Sequence, residues 1–387
     1  MNMETRLVQI GVGREETTGA ISYPVFNATA YRHPAPGEST GFDYTRTANP
    51  TRTVLEEAAA DLEGGDAGFA CASGMAAIQT LMGLFSQGEH LVVSLDLYGG
   101  TYRLFEQILT RFGVSFTYAD MRDIEQVRLA IRPETKAVFV ETPTNPLMQV
   151  ADLAAIARVA KEHQLLTIVD NTFMTPYFQR PLELGADVIV HSATKYLGGH
   201  NDVLAGLIVT KGQELSEKVR FLHNSIGAVL GPQDCWLLIR GLKTLALRME
   251  RHQANALSVA RFLQNHPGIS EVFYPGLPDH PSYEVQLRQA SGFSGMVSFR
   301  VKHAAQVPEF LRSLKLISFA ESLGGVESLC TYPATQTHAD IPEEVREKVG
   351  VCDRLLRLSV GIEHPDDLTE DLAQALEASI VKGGVRA

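Results

Sequence analysis

From about residue 54 to 192 the chain alternates between short apolar runs and longer stretches whose apolar residues recur every three or four positions. Residues 54–63 (VLEEAAADLE) carry helical spacing, and AGFACAS (67–73) leads into the helical GMAAIQTLMGLF (74–85). HLVVS (90–94) precedes GTYRLFEQILTRF (100–112), and KAVFVET (136–142) precedes DLAAIARVAKEH (152–163). LLTIVD (165–170) and DVIVHS (187–192) follow. Runs that are apolar throughout, bounded by turns and separated by helices, predict an α/β fold with a mostly parallel, doubly wound sheet. In such sheets ligands gather beyond the carboxyl ends of the strands.

On either side the pattern changes. Residues 1–55 are rich in Gly, Thr, Pro and aromatics and lack helical periodicity, so they read as an extended arm. Such a segment cannot bury a core of its own and is expected to lie on another surface, such as a neighbouring subunit. A long helical pattern around 240–265 leads to a smaller C-terminal α/β part. Strands are expected there at 295–301 (GMVSFRV), 314–318 (LKLIS) and 355–361 (LLRLSVG), with a helix over 366–380. The expected division is therefore an arm (1–55), a large domain (56–245) and a small domain (246–387).

Charge and composition narrow the partners. Lys and Arg number 34 against 45 acids, a net charge of −11, which argues against nucleic acid or an anionic membrane. No run approaches the ~18 apolar residues of a membrane helix. The first residues, MNMETRLVQIG, hold Glu4 and Arg6 and do not resemble a secretory signal. Cys71, Cys235, Cys330 and Cys352 form no CxxC pair, as expected of a reduced, cytoplasmic protein. His191, His200, His223 and His338 show no zinc spacing, so no metal is expected and these histidines read as surface or supporting residues. Gly11-Val12-Gly13 lacks the third glycine and preceding strand of a dinucleotide site.

Six places carry chemistry. Lys195 follows the apolar strand of DVIVHSATKYLGGHND, which delivers it to the carboxyl edge of the sheet. A desolvated lysine there can act as nucleophile and base, although a solvated loop lysine has the same local signature. Asp170 ends the strand LLTIVD, so both side chains should reach one rim. Lysine plus aspartate at one rim is the arrangement that holds pyridoxal 5′-phosphate (PLP), with the lysine on its aldehyde and the carboxylate on its pyridinium nitrogen. A capping Asp is the alternative. Ser73-Gly74-Met75 opens a helix directly after a strand, where free N–H groups suit a phosphate, or where Ser73 is a plain cap. Tyr98, placed after a strand and before two glycines, could stack on a planar ring or pack beside a turn. Tyr44 and Arg46 alternate along GFDYTRTANPT and so point to one side of an extended stretch, suited to a phosphate. A surface turn at Asn49-Pro50 is the other reading. Arg357 lies inside an apolar strand and needs an anionic partner, which a substrate carboxylate or an internal acid could supply.

Taken together, YTRTANPT, SGMAAI, DLYGGTYRLF, ETPTNP, VDNTF, HSATKYLGGHND and RLSVGIE resemble the Cys/Met-metabolism PLP enzymes. These are the cystathionine γ-synthase-like branch of the aspartate-aminotransferase fold (fold type I), and the likeness runs from about residue 5 to 380. The resemblance implies Lys195 as the Schiff-base lysine and proton shuttle, Asp170 on the ring nitrogen and Tyr98 stacked on the ring. It implies Gly74 and Met75, next to Ser73, with Ser192 and Thr194 on the phosphate, joined by Tyr44 and Arg46 of an adjacent subunit. Arg357 would grip the substrate carboxylate with Asn145 and Ser322 beside it, and Asn145 would also touch the cofactor. Arg103 and Glu321 would meet the distal part of the substrate, Glu321 being the acid of γ-synthases and γ-lyases. Family members are typically homotetramers of two active-site-sharing dimers. Gly100 stands where methionine γ-lyases carry cysteine, which counts against that activity. STGFDYTRTANPT, HNSIGAVLGP and TYPATQTHADIPEE look most like bacterial cystathionine γ-synthases that also act as O-acetylhomoserine thiol-lyases. The implied reaction is γ-replacement on an O-acylhomoserine by cysteine or sulfide; cystathionine γ-lyase is the alternative.

Overall fold

The computed structural model describes residues 1–339 and 343–382. Residues 340–342 of the TYPATQTHADIPEE stretch and 383–387 of the expected small domain lie outside the described residues.

Seven strands form the first sheet: β1 (Ala67–Cys71), β2 (His90–Ser94), β3 (Ser115–Ala119), β4 (Thr135–Glu141), β5 (Leu166–Asp170), β6 (Val188–Ser192) and β7 (Gly206–Thr210). Their spatial order is β1-β7-β6-β5-β4-β2-β3. Only β7 runs against the others. The mostly parallel doubly wound sheet is thus the observed one. Alternate residues explain why these strands are apolar throughout. Val92, Val138, Val169 and Ile189 face one apolar layer, while Leu91, Val93, Phe139 and Val190 face the other. Helices cover both faces, so the inner strands are buried almost throughout, while the edge strand β3 is mostly half-buried.

Local signals start and stop these helices. Asn49 caps the helix Pro50–Glu63 by accepting from the amides of Thr51 (3.0 Å) and Arg52 (3.3 Å), and Pro50 takes the first turn where no donor is needed. Gly64, at φ 76°, ends it in the left-handed conformation that favours glycine. Asn49-Pro50 is therefore a helix start and not a surface turn.

A second sheet has the order β10-β11-β12-β9-β8, from β8 (Ile269–Phe273), β9 (Met296–Val301), β10 (Ser318–Phe319), β11 (Leu329–Thr331) and β12 (Leu355–Ser359). The strand expected over 314–318 shrinks to the exposed pair Ser318–Phe319. The cause is Asp371, whose carboxylate accepts from the backbone amides of Lys315, Leu316 and Ile317, each at 2.9 Å, and so removes them from any ladder. The helical pattern around 240–265 begins earlier, at Pro232, and breaks between Leu242 and Leu245. Arg248 and Thr244 side chains donate to the Gly241 carbonyl at 2.7 and 3.1 Å, occupying the acceptor a continuous helix would use.

The arm is not extended throughout. Met3–Val8 form a short helix, Leu7 and Ile10 enter the core of their own chain, and Arg6 pairs with Asp61 at 2.8 Å. From Arg14 to Ala48 the chain has turns and one bridge, Ala30 to Tyr44.

Candidate active site

The carboxyl ends of β4, β5 and β6 open on one cavity of about 380 Å³. Asp170 ends β5, and β5 and β6 are adjacent parallel strands, so Lys195, three residues beyond β6, arrives at the same rim. Both line the cavity. Lys195 Nζ donates to Ser322 Oγ at 2.9 Å. Burial, and then the charge of Arg357, push the amine down to about 8. Asp170 is buried enough to be pushed above the usual carboxylate range, against the pull of hydrogen bonds from Thr172 N (3.0 Å) and Thr172 Oγ (2.5 Å). A half-buried carboxyl at the cavity rim, held in place by a local turn and with a raised pKa, suits a cationic ring nitrogen as its partner.

Ser73, Gly74 and Met75 stand where β1 passes into the helix Gly74–Met82. Ser73 Oγ accepts from Ala76 N at 3.0 Å, so it is a true cap. The Gly74 and Met75 amides head the helix, where intrahelical bonding leaves donors free. A Cβ at Gly74 would lie 2.8 Å from Ser192 Cβ, so only glycine lets this turn reach β6. Ser192 and Thr194 complete that wall, Thr194 Oγ donating to Ala205 O at 3.2 Å. Tyr98 overhangs the cavity, 41% exposed. Gly100 lies directly beneath it: a Cβ there would stand 2.5 Å from Cε1 of the Tyr98 ring, so a larger residue would displace the ring.

The second sheet contributes the opposite wall. Arg357, on β12, is 1% exposed. It donates to Asn145 Oδ1 (2.7 Å), Ser322 O (3.0 Å) and Thr331 Oγ (3.1 Å), all neutral acceptors. Its Nε is buried without a hydrogen-bond partner, and among the described residues no carboxylate forms an ion pair with it. Burial pushes the guanidinium down to about 10. This is a cation awaiting an anion, so the internal ion pair is not what the fold built. Ser322 (φ 82°), Asn145 and Glu321 line the same cavity.

Three expected residues stand apart from it. Arg103 ends the short helix Gly99–Arg103, is exposed and does not line the cavity. Tyr44 sits in the bridge to Ala30, but the extended stretch ends there: Thr47 N and Ala48 N both donate to Tyr44 O, and Arg46 lies in the turn that they close. Arg46 Nη1 donates to Asn224 O (2.6 Å) and Asn224 Oδ1 (3.0 Å), away from its own chain's cavity.

Some wall residues escaped the sequence reading. Glu141 ends β4 as Asp170 ends β5, so the same strand-end rule would have found it. Thr172 and Thr337 lie inside the family-like motifs but draw no role from them, and His338, behind Thr337, reads in sequence only as a surface or supporting histidine. His338 Nε2 donates to Asn145 O at 3.2 Å while Thr337 Oγ donates to His338 Nδ1 at 2.8 Å, tautomers assigned from these partners. Burial, then Arg357, push His338 down to about 4. His191, His223 and His338 are all buried, so none is a surface histidine.

An amine, a carboxyl, a helix start and an unpaired guanidinium around one cavity fit PLP and an amino-acid substrate. The comparisons agree. Residues 4–377 match the family model for Cys/Met metabolism PLP-dependent enzymes. A Bacillus subtilis cystathionine γ-synthase/O-acetylhomoserine (thiol)-lyase is 60% identical over 97% of this chain and 96% of its own. A cystathionine γ-lyase of the same organism is 52% identical over 97% of this chain and its whole length. The solved cystathionine γ-lyase of Lactobacillus plantarum, complexed with L-serine, superposes with a TM-score of 0.96 at 48% identity, covering 98% of this chain and 99% of that one. The chain belongs to the Cys/Met metabolism PLP-dependent enzymes, a trans-sulfuration enzyme of fold type I whose cofactor is pyridoxal phosphate.

Proposed function

We propose that the protein joins an O-acylhomoserine, acetyl or succinyl, to cysteine to form cystathionine, and to sulfide to form homocysteine. The observation that carries this reading is the 60% identity to the synthase/thiol-lyase relative, against 52% for the γ-lyase. In the replacement the Cγ–O bond breaks and a Cγ–S bond forms, with the acyl carboxylate as leaving group and the thiol proton released. Bound PLP supplies an electron sink conjugated to the substrate's α-carbon. Lys195 would hold the cofactor and, as a free amine in this desolvated pocket, would move the proton at Cα. Asp170 would hold the ring nitrogen in its protonated form, Tyr98 would lie against the ring, and Gly74, Met75, Ser192 and Thr194, next to Ser73, would hold the phosphate. Arg357, oriented by Asn145 and Ser322, grips the α-carboxylate with its unpaired edge. Glu321 lines the cavity near Lys195 and is the group offered to the substrate's distal end. Arg103, outside the cavity, is assigned to that end through the resemblance alone.

The same reading makes the arm a donor to a second copy. Tyr44 is 45% exposed and turned away from its own cavity, as a residue serving a neighbour would be. It goes with a division at about 55 and 245 and with a homotetramer of site-sharing dimers, which light scattering of the purified protein tests directly.

Cystathionine γ-lyase is the second reading, supported by the 52% identity to a γ-lyase over nearly the whole chain. A substrate panel separates the two. The proposal expects cystathionine from cysteine plus O-acylhomoserine at a higher kcat/KM than 2-oxobutyrate release from cystathionine. Efficient release with negligible synthesis overturns it.

A further inference from the structure

Two loops hang over the cavity, one carrying Tyr98 and the other Asn145, and a single side chain ties both to the sheet. Glu141 Oε2 accepts from the Tyr98 amide at 3.0 Å, and Glu141 Oε1 accepts from the Asn145 amide at 3.2 Å. Asn145 then passes the constraint on, because its Oδ1 accepts from Arg357 and its carbonyl from His338. Glu141 itself is fixed. It is the last residue of β4, its amide donates to Ser94 Oγ at 3.0 Å, and it is 7% exposed. It pairs in register with Asp170 on the neighbouring parallel strand, and both side chains line the cavity.

We infer that Glu141 is a positioning residue that holds the ring-stacking Tyr98 and the carboxylate-orienting Asn145 through one carboxyl group, and that its charge joins that of Asp170 beside the cofactor's ring nitrogen. The geometry makes the double role possible. Both oxygens are occupied by main-chain donors from different loops, so a shift of Glu141 moves the cofactor wall and the substrate wall together. The charged groups facing it are Asp170 on β5 and Asp96 after β2. Among the described residues no cation forms an ion pair with Glu141. Burial, then the charge of Asp170, push its carboxyl well above the usual range, as befits a pair of acids awaiting a shared cation. A protonated pyridine ring is a cation of the right kind.

The inference rests on the cavity being the PLP site proposed above, but not on which thiol or ester is used. The test uses the holoenzyme and whichever amino-acid substrate it turns over, including cystathionine, so a failed synthase assay does not touch it. In Glu141→Gln one oxygen becomes an amide that cannot accept, and the charge is gone. At full cofactor occupancy its kcat should fall by roughly ten- to a hundredfold and the amino-acid KM should rise several-fold. The pH midpoint of the bound cofactor's visible absorbance should move down by about one unit. Glu141→Asp keeps the charge on a shorter stem, so it should keep the midpoint and still raise KM. Wild-type KM and an unmoved midpoint in Glu141→Gln overturn the inference. If that variant does not fold, an unchanged KM in Glu141→Asp overturns it by itself.

Discussion

Lys195 illustrates how few residues set the chemistry of this cavity. Its amine is buried, Arg357 repels its proton, and Glu321 only partly offsets them, which lowers it from 10.5 to about 8. Two consequences follow for the cofactor-free protein. An amine must be neutral to attack an aldehyde, so the rate of PLP uptake should climb with pH and level off above about 8. Stopped-flow absorbance across pH 6 to 10.5 reads this, and a rise that continues to the ordinary lysine value would contradict the burial argument. Stability has the matching sign. Between 8 and 10.5 the unfolded chain binds the proton and the folded chain does not, so unfolding becomes harder as pH rises through that window. Lys195 and Asp170 were legible because each follows an apolar strand, and strand ends of a parallel sheet converge. Ser322 was reached only through the family resemblance, and Thr337 and His338 were not read as site residues, because all three come from loops of the second sheet whose meeting with the first depends on how the two sheets dock. The positive φ of Ser322 leaves no mark in sequence either, serine being an unusual choice for that conformation.

Among the elements, the helix Pro50–Glu63 shows what caps do beyond ending a helix. Asn49 accepts two amides with its oxygen and donates to Phe26 O at 2.8 Å with its nitrogen. Three residues on, the helix offers Arg52, 1% exposed, which donates to the carbonyls of Thr45 (2.7 Å) and Arg46 (3.1 Å). One helix start therefore anchors the turn that bears Tyr44 and Arg46. Asn49→Ala should cost about 1–2 kcal/mol in urea unfolding. It should also weaken PLP binding if that turn serves a cofactor site, whereas an equal loss at the far end of the helix should leave PLP binding alone. Elements were legible where one pattern dominated. His90–Ser94 has the bounds its apolar run predicts. The pattern misled where a side chain claimed backbone groups, as Asp371 does at Lys315–Ile317 and Arg248 does at Gly241. It was silent at β7, an apolar pentapeptide between two loops whose antiparallel direction is set by its place beside β1 and β6.

For the molecule as a whole, the question is whether the arm completes a site on another subunit. Leu7 and Ile10 fasten the first ten residues to their own core, so the arm is tethered at its start, and the helix at Pro50 tethers its end. Between them about thirty-five residues run over the surface with little burial, a length that two fixed ends would not need if the segment only closed on itself. The turn with Tyr44 and Arg46 is held by Asn224 and Arg52 in a defined position, which argues for a purpose outside its own cavity. Subunit mixing decides the matter. Lys195→Ala lacks the amine but keeps the arm; a Tyr44→Ala, Arg46→Ala double variant lacks the arm's donors but keeps the amine. Each alone should be nearly inactive, the double variant through lost PLP affinity at limiting cofactor. If each site combines Lys195 of one subunit with the arm of the other, random dimers from an equal mixture contain hybrids with one intact site. Activity should then return to about a quarter of wild type. Sites built from one chain would give no recovery after confirmed subunit exchange, because no hybrid would contain both the amine and the arm around one cofactor.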